Sequence, residues 1–150
     1  MTTTIQNTVS LARDLTRAMN ETRNYLRQYL QVKIKEHEVD ITFELLEILG
    51  YLYWKDGANQ QEIADRLIKD KSSMTYLIDG LEKREMVERI EDPNDRRSKL
   101  IYLTEKAKGL EEMLSPWITE IYEKATEGVK ASDIKKALQL VQKMNENLRK

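Results

Sequence analysis

The sequence predicts a mainly α-helical fold of about six helices carrying one short β-hairpin. Three observations carry that expectation. Five glycines and two prolines in 150 residues leave room for long uninterrupted helices. Apolar residues recur at three- and four-residue intervals through most of the chain, the spacing of one helical face. The period shortens to two in one place only, on either side of "EDPNDRRS" at residues 91–98.

From Ile5 to about Ile34 the face is written by Ile5, Val9, Ala12, Leu15, Met19, Leu26, Tyr29 and Leu30. Such a helix exceeds the usual globular length, and its stripe needs a partner helix from this chain or from a second copy. Thr42 or Asp40 can cap a second helix, faced by Leu45, Leu46, Leu49, Leu52 and Tyr53 and stopped at Asp56-Gly57. Asn59 caps a third, with Glu62 expected to reach back to it as in a capping box, leading into Ile63, Ala64, Leu67 and Ile68. Asp70 caps a fourth, with Met74, Leu77, Ile78 and Leu81 inward. The hairpin pairs Val87–Ile90 with Lys99–Leu103. Thr104 opens a fifth helix through Leu110, Leu114, Trp117, Ile121 and Ala125, with a kink expected at Pro116 and an end at Gly128. Ser132 is the expected cap of the last, faced by Ile134, Leu138, Val141 and Leu148.

Composition narrows the function classes. Hydrophobic residues at 40% and charged ones at 34% describe a soluble globular protein. The longest apolar run, around Leu45 to Tyr53, is too short to cross a bilayer, so no membrane association is expected. The polar stretch Met1–Gln6 lacks the layout of a secretory signal, and a cytoplasmic location is expected. Absence of cysteine excludes disulfides, thiolate metal sites and thiol redox sensing. No nucleophile-base-orienter set, phosphate-cradling glycine loop or metal-ligand spacing appears, so neither catalysis nor a cofactor nor a metal is expected. Net charge is −1, which does not favour nucleic acid; any DNA-binding surface must come from placement of charge.

Placement is where the sequence is informative. Helix, turn, helix and hairpin is the outline of a winged helix-turn-helix, whose second helix enters the major groove while the hairpin tip meets the adjacent minor groove. With Met74, Leu77, Ile78 and Leu81 inward, Ser72, Ser73, Thr75, Tyr76, Asp79 and Lys83 face outward. Small hydroxyls near a helix N-terminus let the backbone approach phosphate and can bond base edges. Arg96 and Arg97 stand at the hairpin tip, held out toward a partner rather than toward a core.

At this point the chain resembles a family. The stretch "NQQEIADRLIKDKSSMTYLIDGLEKREMVERIEDPNDRRSKLIYLTEKAKGL", residues 59–110, is similar to the core of the MarR family of transcriptional regulators, and "DPNDRR" followed by "LTEKA" is its most specific part. The resemblance implies one structural domain in three parts: an N-terminal dimerisation helix (residues 1–38), a winged helix-turn-helix DNA-binding region (39–104) and C-terminal dimerisation helices (105–150). It implies an intertwined homodimer on a pseudo-palindromic operator of double-stranded DNA, with Ile5, Val9, Ile118, Ile121, Leu138 and Val141 in the dimer interface. Arg97 would insert into the minor groove with Asp95 orienting its guanidinium, and Arg96 would touch phosphate. Ser72, Ser73, Thr75, Tyr76 and Lys83 would meet the major groove, and Gln60 or Gln61 would grip backbone phosphate. A ligand-responsive repressor is the implied role, with a small-molecule effector as trigger. The chain departs from the pattern at Tyr76 and Gly80, where many members carry arginine, and at Glu85, where a glycine is common and whose absence predicts a helix end without its left-handed residue. Gly80 within a helix suggests the close approach of another backbone.

Plainer readings stand beside these. Arg96 and Arg97 are also explained as turn charges paired with Asp92 and Asp95, and Ser72-Ser73 as ordinary capping. His37, between Glu36 and Glu38, reads as a solvated helix end more readily than as a metal ligand. Tyr25, Tyr29, Tyr51 and Trp54, with Tyr53, fit either an effector pocket or simple core and interface packing. The rival from another class is a helical protein-interaction module on the same fold without DNA binding.

Overall fold

The computed structural model describes residues 2–149. In chain order the elements are α1 (Thr2–Glu36), α2 (Phe43–Trp54), β1 (Ala58–Asn59), α3 (Gln60–Leu67), α4 (Lys71–Lys83), β2 (Val87–Asp92), β3 (Asp95–Leu103), α5 (Glu105–Ala125) and α6 (Ala131–Leu148). Two compact units result, one ending at Trp117 and one beginning at Ile118. The six helices and the hairpin are those the periodicity predicts, and α5 runs unbroken through Pro116.

Capping chemistry sets most helix starts. Thr42 accepts a hydrogen bond from the Leu45 N–H at 3.2 Å, Asn59 from Gln61 at 2.7 Å, Asp70 from Ser73 at 2.7 Å, and Thr104 from Ala107 at 3.2 Å. Each satisfies a backbone donor that the first helical turn leaves without a partner. The most deeply buried side chains beneath these starts are non-aromatic. Ile48, Leu49 and Leu52 of α2, Ile63 of α3, Met74, Ile78 and Leu81 of α4, Ile101 of β3 and Leu114 of α5 are fully buried together. Apolar residues of five different elements thus converge on one core.

Several local expectations are corrected. The sheet has three strands, ordered β1-β3-β2, because Ala58 and Asn59 pair with Ile101 and Leu100. Two residues are too few to show an alternating pattern. The hairpin is longer than its apolar alternation, with β2 reaching Asp92 and β3 beginning at Asp95, so only Pro93 and Asn94 form the turn. Arg96 and Arg97 therefore stand within β3, at the irregularity between the Glu91–Lys99 and Asp92–Asp95 pairs, where neither has a cross-strand partner. α6 starts one residue before Ser132, with Lys130 at the cap position and no side-chain cap bond. Glu62 does not close a capping box, since Tyr51 and Lys55 hold its carboxylate.

Two positions, one within α4 and one just past its end, are also informative. Glu85 adopts φ 59° despite its side chain, and Met86 N–H bonds Leu81 C=O at 2.9 Å, so the left-handed helix end forms without glycine. Gly80 faces side chains and not a backbone. A methyl group there would lie 3.4 Å from the Arg84 guanidinium and 3.6 Å from Leu45.

Candidate nucleic-acid interface

α4 is rotated by its buried face. Met74, Leu77, Ile78 and Leu81 are inward, which leaves Ser72, Ser73, Thr75, Tyr76 and Lys83 exposed. Tyr76 is 78% exposed, an aromatic ring held out with no core role. Asp70 takes the Ser73 hydroxyl at 3.1 Å besides its N–H, and these bonds, the backbone one first, hold its carboxyl below its ordinary value. Capping thus uses Ser73, while Ser72 stays exposed.

The two arginines near the wing's tip are not neutralised by its carboxylates. Asp95 accepts the Arg97 backbone N–H at 3.0 Å, and Asp92 accepts the Asn94 N–H at 2.9 Å. Both carboxylates thus shape the turn. The expected contact between Asp95 and the Arg97 guanidinium is not made; Asp95 orients the strand that carries Arg97 instead. Among the described residues neither Arg96 nor Arg97 joins an ion pair. Turn charges neutralising one another are therefore not what the structure holds.

Wing and helices meet in one cleft. Arg97, Asp95, Ser98 and Lys99 of β3 line a cavity of about 350 Å³ together with Asn59, Gln60 and Gln61 at the start of α3 and Lys71 of α4. Asn59 hydrogen-bonds Ser98 across it, and Gln60 donates to the Thr75 hydroxyl at 2.9 Å. Arg97 and Thr75 therefore stand on the same side of the molecule. Lys71 and Lys99 are cations that sequence reasoning passed over; an unpatterned lysine carries no signal until the fold brings it beside others.

Arg89 was missed for the same reason and is better placed than either. Its side chain is only 18% exposed and bonds Asp79 at 2.6 Å, Glu82 at 3.0 Å and the Thr75 carbonyl at 3.3 Å. One guanidinium on β2 thus grips three points along α4, which fixes helix and wing to each other. It also offsets two carboxylates on a helix offered to a polyanion.

A second polar clip lies behind α3. Glu62 accepts from the Tyr51 hydroxyl and from Lys55 Nζ, each at 2.6 Å. The bond from Lys55, then that from Tyr51, lowers the Glu62 carboxyl below its usual value, and the Glu62 carboxylate raises the Tyr51 phenol. Burial likewise pushes up the phenol of Tyr53, which donates to the Ala107 carbonyl at 2.7 Å. Of the other aromatic residues, Tyr25 and Trp54 are exposed, Tyr29 packs against the core, and Trp54 meets Tyr51 edge-on at 5.5 Å. His37 rests on Trp117 with ring centres 4.6 Å apart. Among the described residues no group of three His, Cys, Asp or Glu could hold a metal ion.

The expected dimer residues lie open in the single chain: Ile5, Val9, Ile118 and Leu138 are exposed, and Ile121 and Val141 half-buried.

Residues 41–99, which contain α2 to the wing, match the model of the MarR family. The winged region of the chain is thus similar to that of the MarR family. It is 34% identical over 86 residues to the HTH-type transcriptional regulator MhqR of Bacillus subtilis (strain 168), covering 57% of each chain. To the uncharacterized HTH-type transcriptional regulator YkoM of the same organism it is 35% identical over 100 residues, 62% of this chain and 63% of that one. It thus spans about three-fifths of the length of these relatives. A MarR transcriptional regulator from Methanosarcina mazei Go1 superposes with a TM-score of 0.75 at 28% identity over 89% of this chain and 94% of its own. S. aureus MepR in DNA-binding conformation superposes with a TM-score of 0.79 at 25% identity over 89% and 98%. Among the described residues no helix is long and apolar enough to cross a membrane.

Proposed function

We propose that this protein is a sequence-specific DNA-binding transcriptional regulator, acting as a homodimeric repressor on a pseudo-palindromic operator. One observation carries the proposal: unpaired Arg97, Lys71 and Lys99 share a cleft with Gln60, whose amide reaches Thr75 on the exposed face of α4. A cation on the wing and a hydroxyl-bearing helix on one face fit the minor and major grooves of one duplex. The likeness to MepR in DNA-binding conformation supports the same assignment. Residues 1–38 and 105–150 would supply the dimer, since a second copy is the natural cover for Ile5, Val9, Ile118 and Leu138.

Dimerisation would set two copies of α4 about one helical turn of DNA apart. A small-molecule effector would act by binding one spacing of the two helices better than the other, and Tyr25, Tyr29, Tyr51 and Trp54 are the residues proposed to meet it. Tyr51 is suited to that task because its hydroxyl is tied through Glu62 to α3.

The test is a mobility shift on DNA flanking the protein's own gene at two salt concentrations. Affinity should fall steeply as salt rises, because each phosphate neutralised releases condensed counterions. Binding absent at low salt would favour a protein-interaction module, the alternative that the net charge of −1 keeps in view.

A further inference from the structure

Thr75 differs from three threonines of α1 and from Thr126 just past the end of α5. Thr8, Thr16, Thr22 and Thr126 each turn the hydroxyl back to the carbonyl four residues earlier, at 3.0, 2.9, 3.0 and 2.8 Å. That bond consumes the only hydrogen a hydroxyl has. Thr75 makes no such bond. Its oxygen accepts from Gln60 Nε2 at 2.9 Å, so its hydrogen is left to be donated outward. Its backbone is held as well, by Arg89 on its carbonyl at 3.3 Å. An exposed side chain is thereby fixed from two other elements, α3 and β2, which spares the ordering cost that a loose threonine would meet on binding.

Gln60 is altered by the same bond. With its amide nitrogen turned to Thr75, its carbonyl oxygen becomes the acceptor beside the Thr75 donor. A donor and an acceptor side by side complement the major-groove edge of adenine, whose N7 accepts and whose N6 donates. Guanine offers two acceptors at that edge, and its O6 would face the glutamine carbonyl.

We propose that Gln60 and Thr75 form one composite reading head for an adenine in each half-site, making Gln60 a specificity-determining residue rather than a phosphate anchor. The proposal rests on the DNA-binding assignment above. It separates two roles at the start of α3: Gln61, whose amide bonds Asp65 at 2.8 Å on its own helix, is left out of the head.

The experiment is selection of operators from a randomised duplex library by the full-length wild type, Gln60→Ala, Thr75→Ala and the double variant. Thr75→Val serves as a second probe should Gln60→Ala fail to fold, since it removes the donor and keeps the shape. Each single variant is expected to lose adenine preference at the same one position per half-site. On the wild-type operator each should lose roughly ten- to hundredfold in affinity, as expected for a bidentate base contact. The double variant should lose no more than either single one, because the head works as a unit. Uniform weakening on all sequences by Gln60→Ala would return Gln60 to the phosphate backbone and overturn the proposal. So would effects at two different positions, or a wild-type preference for guanine there. A wild type that enriches no sequence would overturn the DNA-binding assignment and this inference with it; a wild type that selects a palindrome unchanged by Gln60→Ala overturns the inference alone.

Discussion

The winged region and the terminal helices use the same kinds of apolar residue in opposite ways. Leu49 of α2, Ile78 of α4 and Ile101 of β3 are entirely buried within one chain. α6 has no buried residue, and of the 35 residues of α1 only Leu30 and Ile34 are buried. The contrast separates two kinds of stability. From α2 through β3 the fold is closed on itself by a shared core and by Gln60–Thr75, Arg89–Asp79 and Tyr51–Glu62. The stripes of α1 and α6 are largely uncovered within one chain, and in the proposed dimer a second copy would cover them.

One substitution made in both regions is the sharpest way to break that contrast. Leu49→Ala opens a cavity in a closed core and should cost about 2–5 kcal/mol of unfolding free energy, the same at every protein concentration. Leu138→Ala, from a side chain 55% exposed, should cost little in a single chain but lower the thermal midpoint in a way that fades as protein concentration rises. Thermal scans across a hundredfold dilution series, beside light scattering against twice the 17.7 kDa chain mass, check both. A concentration-independent loss at Leu138 would mean that α6 is stabilised within its own chain.

The next effect is confined to the wing. Arg97→Ala removes an unpaired cation that supports no other side chain, so it should leave stability and the dimer unchanged while weakening operator binding by about 1–3 kcal/mol. Fluorescence anisotropy on a labelled operator measures it. An unchanged affinity would remove the wing from the interface.

How much of this was legible follows the range of each interaction. Helix positions, the caps Thr42, Asn59, Asp70 and Thr104, and the outward face of α4 follow from residues within four positions of one another, and local patterns report them well. Residues that act over longer range escaped. Arg89 bonds Thr75, fourteen positions earlier, and nothing in "VERIED" distinguishes it from any solvated strand arginine. Glu62 had the spacing of a capping box, yet Tyr51 of α2 and Lys55 just past its end offered two charge-assisted bonds in place of one backbone donor. Glu85 was expected to change a helix end. Backbone bonds from Met86 and Glu85 to Leu81 and Glu82 impose the left-handed conformation regardless. Local preference yields when closure of the core demands it.

Arg89→Met tests whether the winged region is held by polar contacts as well as by its core. The variant keeps the stem and loses three bonds of α4, which should cost about 1.5–3 kcal/mol by denaturant unfolding. It should also blur sequence discrimination, since Asp79 and Glu82 would face the duplex without their counter-charge. Stability lost with discrimination intact would make Arg89 a fastener alone.

The smallest effect is a gain, and it too distinguishes the regions. α3 and α4 both end in a left-handed residue that is not glycine, Ile68 at φ 53° and Glu85 at φ 59°. The same bond closes both ends, Lys69 N–H to Ala64 C=O and Met86 N–H to Leu81 C=O, each at 2.9 Å. For an L-residue that conformation costs about 1–2 kcal/mol, and a β-branched side chain crowds it further. Glycine relieves the strain but loses more entropy on folding, so the net gain should be about 0.5–1 kcal/mol. It should be larger for Ile68→Gly than for Glu85→Gly, since Ile68 is 87% exposed and gives up almost no burial. A lower thermal midpoint for Ile68→Gly would mean that this exposed isoleucine stabilises the turn before α4 through contacts that outweigh its backbone strain. A higher midpoint accompanied by weaker operator binding would instead show that the strain is kept for the surface it presents beside Tyr76.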